Sequence, residues 1–132
     1  MIEINNLTSV FVDRKYLKKI SEKVLRKEKE KKDLSVALIS PGQIKKLNKK
    51  YRKKNRPTDI LSFSYDNYAE IVICPQKVKN NAKKYHSTFK KELSRVLIHG
   101  ILHLVGYEHE KNPRKKKLME KKENYYFNYV KN

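Results

Sequence analysis

An apolar run that contains two histidines constrains the fold of this chain more than any other feature. Residues 96–105 read VLIHGILHLV, and a surface that is apolar nearly all round predicts a helix buried at the centre of the structure. His99 and His103 are four residues apart, so their side chains stack on one face of that helix. An unpaired buried polar group costs ~1–3 kcal/mol. The two imidazoles therefore need a partner, and one metal ion satisfies both.

A third histidine follows the helix at a spacing typical of metal sites. Gly106 can take the left-handed conformation that ends a helix, and the chain then turns back with His109 beside the other two. A single histidine on an apolar face is more often a hydrogen-bonded core residue, but the full pattern H-x-x-x-H-x-x-G-x-x-H is rare. We predict that His99, His103 and His109 bind one Zn²⁺ per chain and leave a fourth position open, as in catalytic zinc sites.

The residue after the first histidine argues against the usual peptidase mechanism. Zinc peptidases carry H-E-x-x-H, in which the glutamate is the general base. Gly100 holds that position here, and glycine cannot accept a proton. A glycine at this point would instead let another backbone or a substrate approach the helix.

Periodicity and capping residues outline an α+β fold around this helix. Asp13 and Ser40 are predicted N-caps, and Ser87 or Thr88 is expected to cap the helix that carries the histidines. The stretch RKEKEKK at residues 26–32 is expected to be a solvated helix face. The predicted strands are 2–6, 34–40, 59–66 and 70–74, the last two as a hairpin, and the predicted helices are 14–32, 41–53, 75–85, 88–105 and one that begins at Pro113. The expected inward side chains include Tyr51 in the second helix and Leu118, Met119, Tyr126 and Val130 in the last.

These elements predict about four strands in a mixed sheet packed with about five helices, with the zinc site on the central helix. Length and the absence of a linker favour a single domain over residues 1–132. The longest apolar stretch is roughly ten residues, against the ~20 needed to cross a bilayer. The first residues do not resemble a signal peptide, and Cys74 is the lone cysteine. We therefore expect a cytoplasmic protein without disulfides.

The charge of the chain favours a polyanionic partner. Thirty-three Lys and Arg residues face fourteen Asp and Glu residues, for a net charge of +19. Such a charge attracts RNA, DNA or an anionic membrane surface over a screening length of ~10 Å. Lysine supplies 27 of the 33 cations. An AT-rich genome tends to encode lysine at surface positions that tolerate change, so we attribute about half of the charge to the composition of the genome.

Two motifs resemble the endoribonuclease YbeY family of bacterial rRNA maturation factors. HGILHLVGYEH at residues 99–109 resembles the family's H-G-x-L-H-L-x-G-Y-D-H, and LNKKYRKKNRPTDILSF at residues 47–63 resembles its L-N-x-x-Y-R followed by P-T-D-V-L-S-F. The order and separation of the two blocks fit, and the resemblance covers nearly the whole chain. It implies an α+β fold with one zinc on three histidines, and cleavage of single-stranded RNA.

The resemblance also implies a biological role. The family acts in 16S rRNA 3′-end maturation, ribosome assembly and ribosome quality control. The implied partners are the 16S rRNA precursor in its single-stranded regions and the ribosomal small subunit, with no membrane and no nucleotide cofactor.

Site residues carry over by position. The three histidines match the family's zinc ligands, and Arg52 matches the arginine held to matter for RNA cleavage, so Arg52 and His99 are the predicted catalytic residues. In a chain with six arginines, Arg52 is also the cation that chemistry would choose to clamp a phosphate oxygen bidentately. The structural alternative for Arg52 is an ion pair with Asp59 or Glu70.

Two positions depart from the family's pattern. The aspartate before the last histidine is Glu108 here, and the Leu-Gly-Asp that enters the strand after the hairpin is Tyr68-Ala69-Glu70. Glu108 is expected to hold a histidine N–H from behind and so to fix its tautomer. Each departure keeps the charge but adds one methylene, which affects the hydrogen bonding around the site and not the metal.

Further RNA contacts are expected at two arginines and three tyrosines. Arg56 and Arg95 are candidates for phosphate contacts; an ordinary loop charge and a helix salt bridge are their respective alternatives. Tyr65, Tyr68 and Tyr107 are candidates for stacking on unpaired bases, although most of the nine tyrosines are expected in the core or on the surface.

The nucleophile and the function both leave alternatives. Either water made more acidic by zinc or the RNA 2′-hydroxyl attacks the phosphate, and no general base is assigned. Ser62 and Phe63 are expected to be core strand residues. The rival functions are a non-catalytic, zinc-containing RNA-binding module of ribosome assembly and a metal-dependent hydrolase of another substrate.

Overall fold

Four strands form one mixed sheet in the computed structural model, which describes residues 1–107 and 112–131, the last two without their side chains. The strands are β1 (Ile2–Asn6), β2 (Asp33–Leu38), β3 (Ile60–Ser64) and β4 (Tyr68–Ile73), and the helices are α1 (Arg14–Lys27), α2 (Pro41–Arg52), α3 (Pro75–Lys84), α4 (Phe89–Leu104) and α5 (Pro113–Lys131). This confirms the predicted α+β fold with a four-stranded sheet and five helices.

The strand order is β1-β2-β4-β3. β1 pairs with β2 and β2 pairs with β4 in parallel, so each of these connections needs a crossover, whereas β3 and β4 form the predicted antiparallel hairpin. Ile60 lies opposite Ile73 and Ser64 lies opposite Ala69. Because β3 is last in the strand order and pairs with β4 on one side, it is an edge strand of the sheet.

The two faces of the sheet bury two apolar clusters. Successive side chains of β4 alternate between them: Ile71 joins the larger cluster with α1, α4 and α5, whereas Val72 joins a smaller cluster under α2. Leu97, Ile98, Ile101 and Leu102 are at most 1% exposed, which confirms that α4 is the central helix. Among the described residues, no helix combines the length and the apolar character that a membrane span requires.

Helix starts follow the capping residues that the sequence contains. The Asp13 side chain accepts a hydrogen bond from the Tyr16 N–H, and the Ser40 hydroxyl accepts one from Gln43, with Pro41 in the first turn. Thr88, one of the two predicted candidates, caps α4. Each cap satisfies a backbone donor that has no partner within its helix.

The helices differ from the predictions at the end of α1 and in the exposure of two side chains. α1 stops at Lys27 and not at residue 32, because Lys29 takes a left-handed φ of 56° and Glu28 turns its carboxylate inward. The stretch predicted as a solvated face thus contains a buried acid. Tyr51 and Leu118, predicted to point inward, are 56% and 48% exposed, whereas Met119 and Tyr126 are buried as predicted. The side chain of Val130 lies outside the described part of the chain.

Candidate metal centre and adjoining groove

Two imidazole nitrogens face each other on α4. His99 Nε2 lies 3.1 Å from His103 Nε2, with the ring centroids 4.6 Å apart and the ring planes at 77°. Two nitrogens bound to one tetrahedral zinc at 2.0–2.1 Å are about 3.3 Å apart. The pair therefore has the spacing of two ligands of one ion, as the i,i+4 positions predict.

A glutamate on α5 stands behind the first histidine. Glu123 Oε1 lies 3.0 Å from His99 Nδ1, so the carboxylate accepts a hydrogen bond from Nδ1–H, and Nε2, which faces His103, is the unprotonated nitrogen of the neutral ring. A carboxylate behind a histidine in this way is a common device for fixing the tautomer that binds metal. The donor chemistry of the described residues thus fits a divalent metal.

Sequence reasoning did not identify Glu123. The available signal was its position on α5, four residues after Met119 and three before Tyr126, both buried. An acid on the inner stripe of a lysine-rich helix needs a partner. Glu108, which was predicted to fix the tautomer of a histidine ligand, lies outside the described residues.

The third predicted ligand, His109, also lies outside the described residues. Within residues 1–107 and 112–131, no group of three His, Cys, Asp or Glu side chains is arranged to hold a metal ion. His99 and His103 are the part of the predicted site that the structure brings together, and Glu123 is a residue that the prediction did not include.

The histidine pair opens into a groove of about 780 Å³ between β3, the end of α2, α4 and α5. It brings together residues that are distant in sequence. Its lining includes Tyr51, Arg52, Thr58, Asp59, Ser62, Phe63, Glu92, Arg95, His99, His103 and Glu123. Ser62 and Phe63, predicted as core residues, are half-buried and form part of its wall.

The three predicted RNA-binding arginines have different surroundings. Arg52, the last residue of α2, is exposed in the groove, and in the described part of the chain it has no ion pair with Asp59 or Glu70. Arg95 also lines the groove and pairs with Glu92 at 3.8 Å, the helix salt bridge that was its alternative. Arg56 is exposed but does not line the groove.

Gly100 allows β3 to pack directly on α4 between the two histidines. A Cβ at this position would lie 2.5 Å from Ile60 Cδ1 and 3.3 Å from Ser62 Oγ. The expectation that this glycine permits a close approach is confirmed, and the element that approaches is the edge strand. The space that the glutamate of a zinc peptidase would use is therefore occupied by β3.

Tyr107, predicted as a stacking candidate, belongs to a polar cluster on the other side of α4's end. Its hydroxyl donates to Glu28 Oε1 at 2.7 Å, and Tyr126 and Lys122 of α5 donate to Glu28 Oε2. We call Glu28, Tyr107, Lys122 and Tyr126 the Glu28 cluster. Burial raises the pKa of the Glu28 carboxyl, but the hydrogen bonds from Tyr126, Tyr107 and Lys122 outweigh it and leave that pKa below its usual value.

The chain is similar to known proteins over nearly its whole length. A family model described as Endoribonuclease YbeY matches residues 3–131. The Endoribonuclease YbeY of Thermotoga neapolitana is 44% identical over 119 residues, which cover 86% of this chain and 80% of the relative. That of Buchnera aphidicola subsp. Acyrthosiphon pisum is 36% identical, with 83% of this chain and 75% of the relative covered. A solution structure of a Thermotoga maritima protein superposes with a TM-score of 0.74 at 40% identity and covers 98% of this chain and 89% of that one.

Proposed function

The chain belongs to the endoribonuclease YbeY family, and from that premise we infer that it cleaves phosphodiester bonds in single-stranded RNA at the groove beside α4. The observation that carries this proposal is the convergence of the His99 and His103 nitrogens, 3.1 Å apart, in the same open groove as the Arg52 side chain. A paired nitrogen donor set beside an exposed guanidinium suits a phosphate substrate.

We further propose the finer role that the family resemblance implies. The substrate would be the 16S rRNA precursor near its 3′ end, acted on in the cytoplasm during assembly and quality control of the ribosomal small subunit. The whole chain, residues 1–132, would serve as one catalytic domain. The net charge of +19 supports an RNA partner, because it attracts a polyanion from a distance.

The proposed metal is zinc, with His99, His103 and His109 as its ligands. When bound, zinc supplies a Lewis acid that makes a hydroxyl nucleophile more acidic and withdraws charge from a phosphoryl oxygen. The chain's own contribution begins at Glu123, whose carboxylate holds the proton on His99 Nδ1 and so makes Nε2 the nitrogen that would bind the metal. Without that acceptor, the imidazole would be free to take the other tautomer.

Arg52 would bind the non-bridging phosphate oxygens and stabilise the negative charge that grows on them in the transition state. Its guanidinium suits this role because it is exposed in the groove and, within the described residues, forms no ion pair with Asp59 or Glu70. Arg95 faces the same groove with its charge partly offset by Glu92, so we assign it to binding and not to the reacting phosphate.

The reaction admits two nucleophiles that leave different products. Attack by water and rupture of the P–O3′ bond leave a 5′-phosphate on one fragment and a 3′-hydroxyl on the other. Attack by the neighbouring 2′-hydroxyl leaves a 2′,3′-cyclic phosphate and a 5′-hydroxyl. Mass spectrometry of the fragment ends distinguishes the two.

Elemental analysis and an RNA cleavage assay on the same preparations test the proposal. We expect about one zinc per chain in the wild type, loss of both zinc and cleavage in His103→Ala, and loss of cleavage with nearly full RNA binding in Arg52→Ala. Arg14→Ala, which changes an exposed arginine outside the groove, is the matched control. Equal loss of binding and cleavage in Arg52→Ala would favour a non-catalytic binding module. If the zinc-loaded protein did not cleave RNA but cleaved another substrate, the proposed endoribonuclease activity would be contradicted.

A further inference from the structure

Four aromatic side chains continue from the groove along the outer face of the β3–β4 hairpin. Tyr51 and Phe63 meet edge to face with centroids 5.1 Å apart, and Tyr65 and Tyr68 stack at 4.5 Å with their planes 18° apart. We call these four residues the aromatic strip. Burial raises the pKa of the Tyr65 phenol, and Glu70, Tyr68 and Tyr51 raise it further, as expected if these groups share one face of the sheet.

The strip exists because α2 covers only part of this face. Leu61, Phe63 and Tyr65 are two residues apart along the chain and so point to the same side. Leu61 is buried in the cluster under α2, but α2 ends at Arg52, and its last turn presents Tyr51 to Phe63. Beyond that point the aromatic surface is accessible: Tyr51 is 56% exposed, and Tyr65 and Tyr68 are each 44% exposed.

A cation borders the strip at its groove end, where Lys50 Nζ lies 5.2 Å from the centre of the Tyr51 ring. Two acids share this face: Glu70 is half-buried opposite Phe63, and Asp33 lies opposite Tyr68, where it pairs with the N-terminal ammonium group. Accessible aromatic rings with a lysine at one end suit a nucleic acid strand, whose bases stack on the rings while a phosphate meets the cation.

The spacing along the strand favours a single strand over a duplex. Two residues of a β-strand span about 7 Å. Bases stacked in a duplex are about 3.4 Å apart. Bases that occupied the Phe63 and Tyr65 positions would therefore be pulled out of contact with each other, which a continuous duplex does not permit.

We propose that the aromatic strip is a base-stacking subsite, which holds unpaired nucleotides of the RNA while the phosphate to be cut lies at Arg52 and the histidine pair. The inference rests on the proposed function and adds to it the reason for a preference for single strands. Continuity supports it, since Tyr51 and Phe63 line the same groove as Arg52, His99 and His103. The bases would then run from the groove outward over Tyr65 and Tyr68.

Binding of a short fluorescein-labelled uridine oligonucleotide to the full chain, freed of metal by chelation, tests this by fluorescence anisotropy. The double variant Tyr65→Ala/Tyr68→Ala should bind about tenfold or more weakly than wild type, because base–aromatic stacking is lost at two rings. Tyr65→Phe/Tyr68→Phe keeps both ring faces and should restore the affinity. Tyr85→Ala/Tyr129→Ala, which removes two exposed tyrosines elsewhere, is the matched control.

Two further readouts separate stacking from charge and from misfolding. The slope of log affinity against log salt should be unchanged in Tyr65→Ala/Tyr68→Ala, because no phosphate contact is removed. Its thermal unfolding should match that of the control variant. Affinity equal to the control, an equal loss in the phenylalanine variant, or an equal loss for duplex RNA would each overturn the inference.

The outcome is separable from that of the proposed function. If the alanine variant loses affinity for the single strand but neither it nor wild type cuts RNA, the subsite stands and the proposed activity fails. If both proteins cut RNA but the affinity of the variant is unchanged, the subsite fails and the activity stands.

Discussion

Glu28 and Glu123 both connect α5 to another helix, yet their surroundings give the two carboxylates different roles. The Glu28 side chain is 7% exposed and accepts hydrogen bonds from Tyr107, Tyr126 and Lys122. The Glu123 side chain is 23% exposed, lines the groove and lies 3.0 Å from His99 Nδ1. The residues that α5 contributes to the two contacts are neighbours in sequence: Lys122 donates to Glu28, and Glu123 accepts from His99.

The comparison indicates that α5 takes part in two neighbouring acid sites. The site at Glu28 stabilises the fold, and the site at Glu123 orients a candidate metal ligand. Glu28 brings together the end of α1, Tyr107 in the segment that follows α4, and the middle of α5, so its hydrogen bonds stabilise the packing around the site. Glu123 acts on a ring whose other nitrogen faces His103. We therefore expect loss of Glu28 to affect folding first, and loss of Glu123 to affect metal binding first.

Glu28→Ala should give the largest effect. It leaves the buried Tyr126 hydroxyl without its acceptor and removes the carboxylate that pairs with Lys122, at a cost of about 3 kcal/mol in the free energy of unfolding. Urea denaturation of the metal-free protein measures it. Glu22→Ala, which changes an exposed acid of α1 six residues before Glu28, is the control and should change the stability by less than ~0.5 kcal/mol. Equal stabilities would refute the structural role of Glu28.

Glu123→Ala should weaken zinc binding by about 10- to 100-fold, because His99 loses the acceptor that fixes its tautomer. Competition with a zinc-binding dye measures the affinity, and urea denaturation without metal should show a change smaller than that of Glu28→Ala. Glu120→Ala, an exposed acid one turn earlier on α5, is the control. The contrast between the two glutamates fails if Glu123→Ala unfolds the protein or leaves the zinc affinity unchanged.

Tyr107→Phe sharpens the comparison with a smaller change. It removes one of the three hydrogen bonds to Glu28 and leaves the ring in place, so the unfolding free energy should fall by about 1 kcal/mol. Tyr85→Phe, at an exposed position, should have no measurable effect. If Tyr107→Phe lowered the unfolding free energy as much as Glu28→Ala does, the Tyr107 hydroxyl and not the carboxylate would provide most of the stabilisation of the Glu28 cluster.

The two glutamates also show what the sequence could and could not predict. The i,i+4 histidines and the caps Asp13 and Ser40 were predictable, because each interaction joins residues within one helical turn. Glu123 contacts a histidine 24 residues away, and such a contact depends on how α4 and α5 cross. No local pattern specifies that crossing.

Glu28 illustrates the same limit more strongly. Its partners are 79 to 98 residues away, and the run of alternating lysines and glutamates around it indicates a solvated face when taken alone. The early end of α1 has the same origin, because the chain leaves the helix where this carboxylate turns toward α5. The groove follows this pattern too: its histidines were predicted, but the edge strand against Gly100 emerged only from the packing.

The pH dependence of stability should show the smallest effect and the most specific one. Ionised Glu28 is favoured in the folded chain, since its pKa lies below the ordinary value near 4.5 despite the opposing effect of burial. A lowered folded-state pKa means that the unfolded state takes up a proton first as the solution is acidified. The stability contributed by the carboxylate is thus complete above the ordinary pKa and is lost as the pH falls through the lower folded-state pKa.

Glu28→Gln isolates this contribution, because the amide keeps the shape of the side chain but does not titrate. The difference in unfolding free energy between wild type and Glu28→Gln should be constant from neutral pH down to about pH 5 and then shrink as the pH is lowered further. Urea denaturation at a series of pH values measures it, with Glu22→Gln as the exposed control. A difference that grew on acidification would mean that the folded state favours the protonated acid, and Glu28 would then be a buried neutral group and not the charged centre of its cluster.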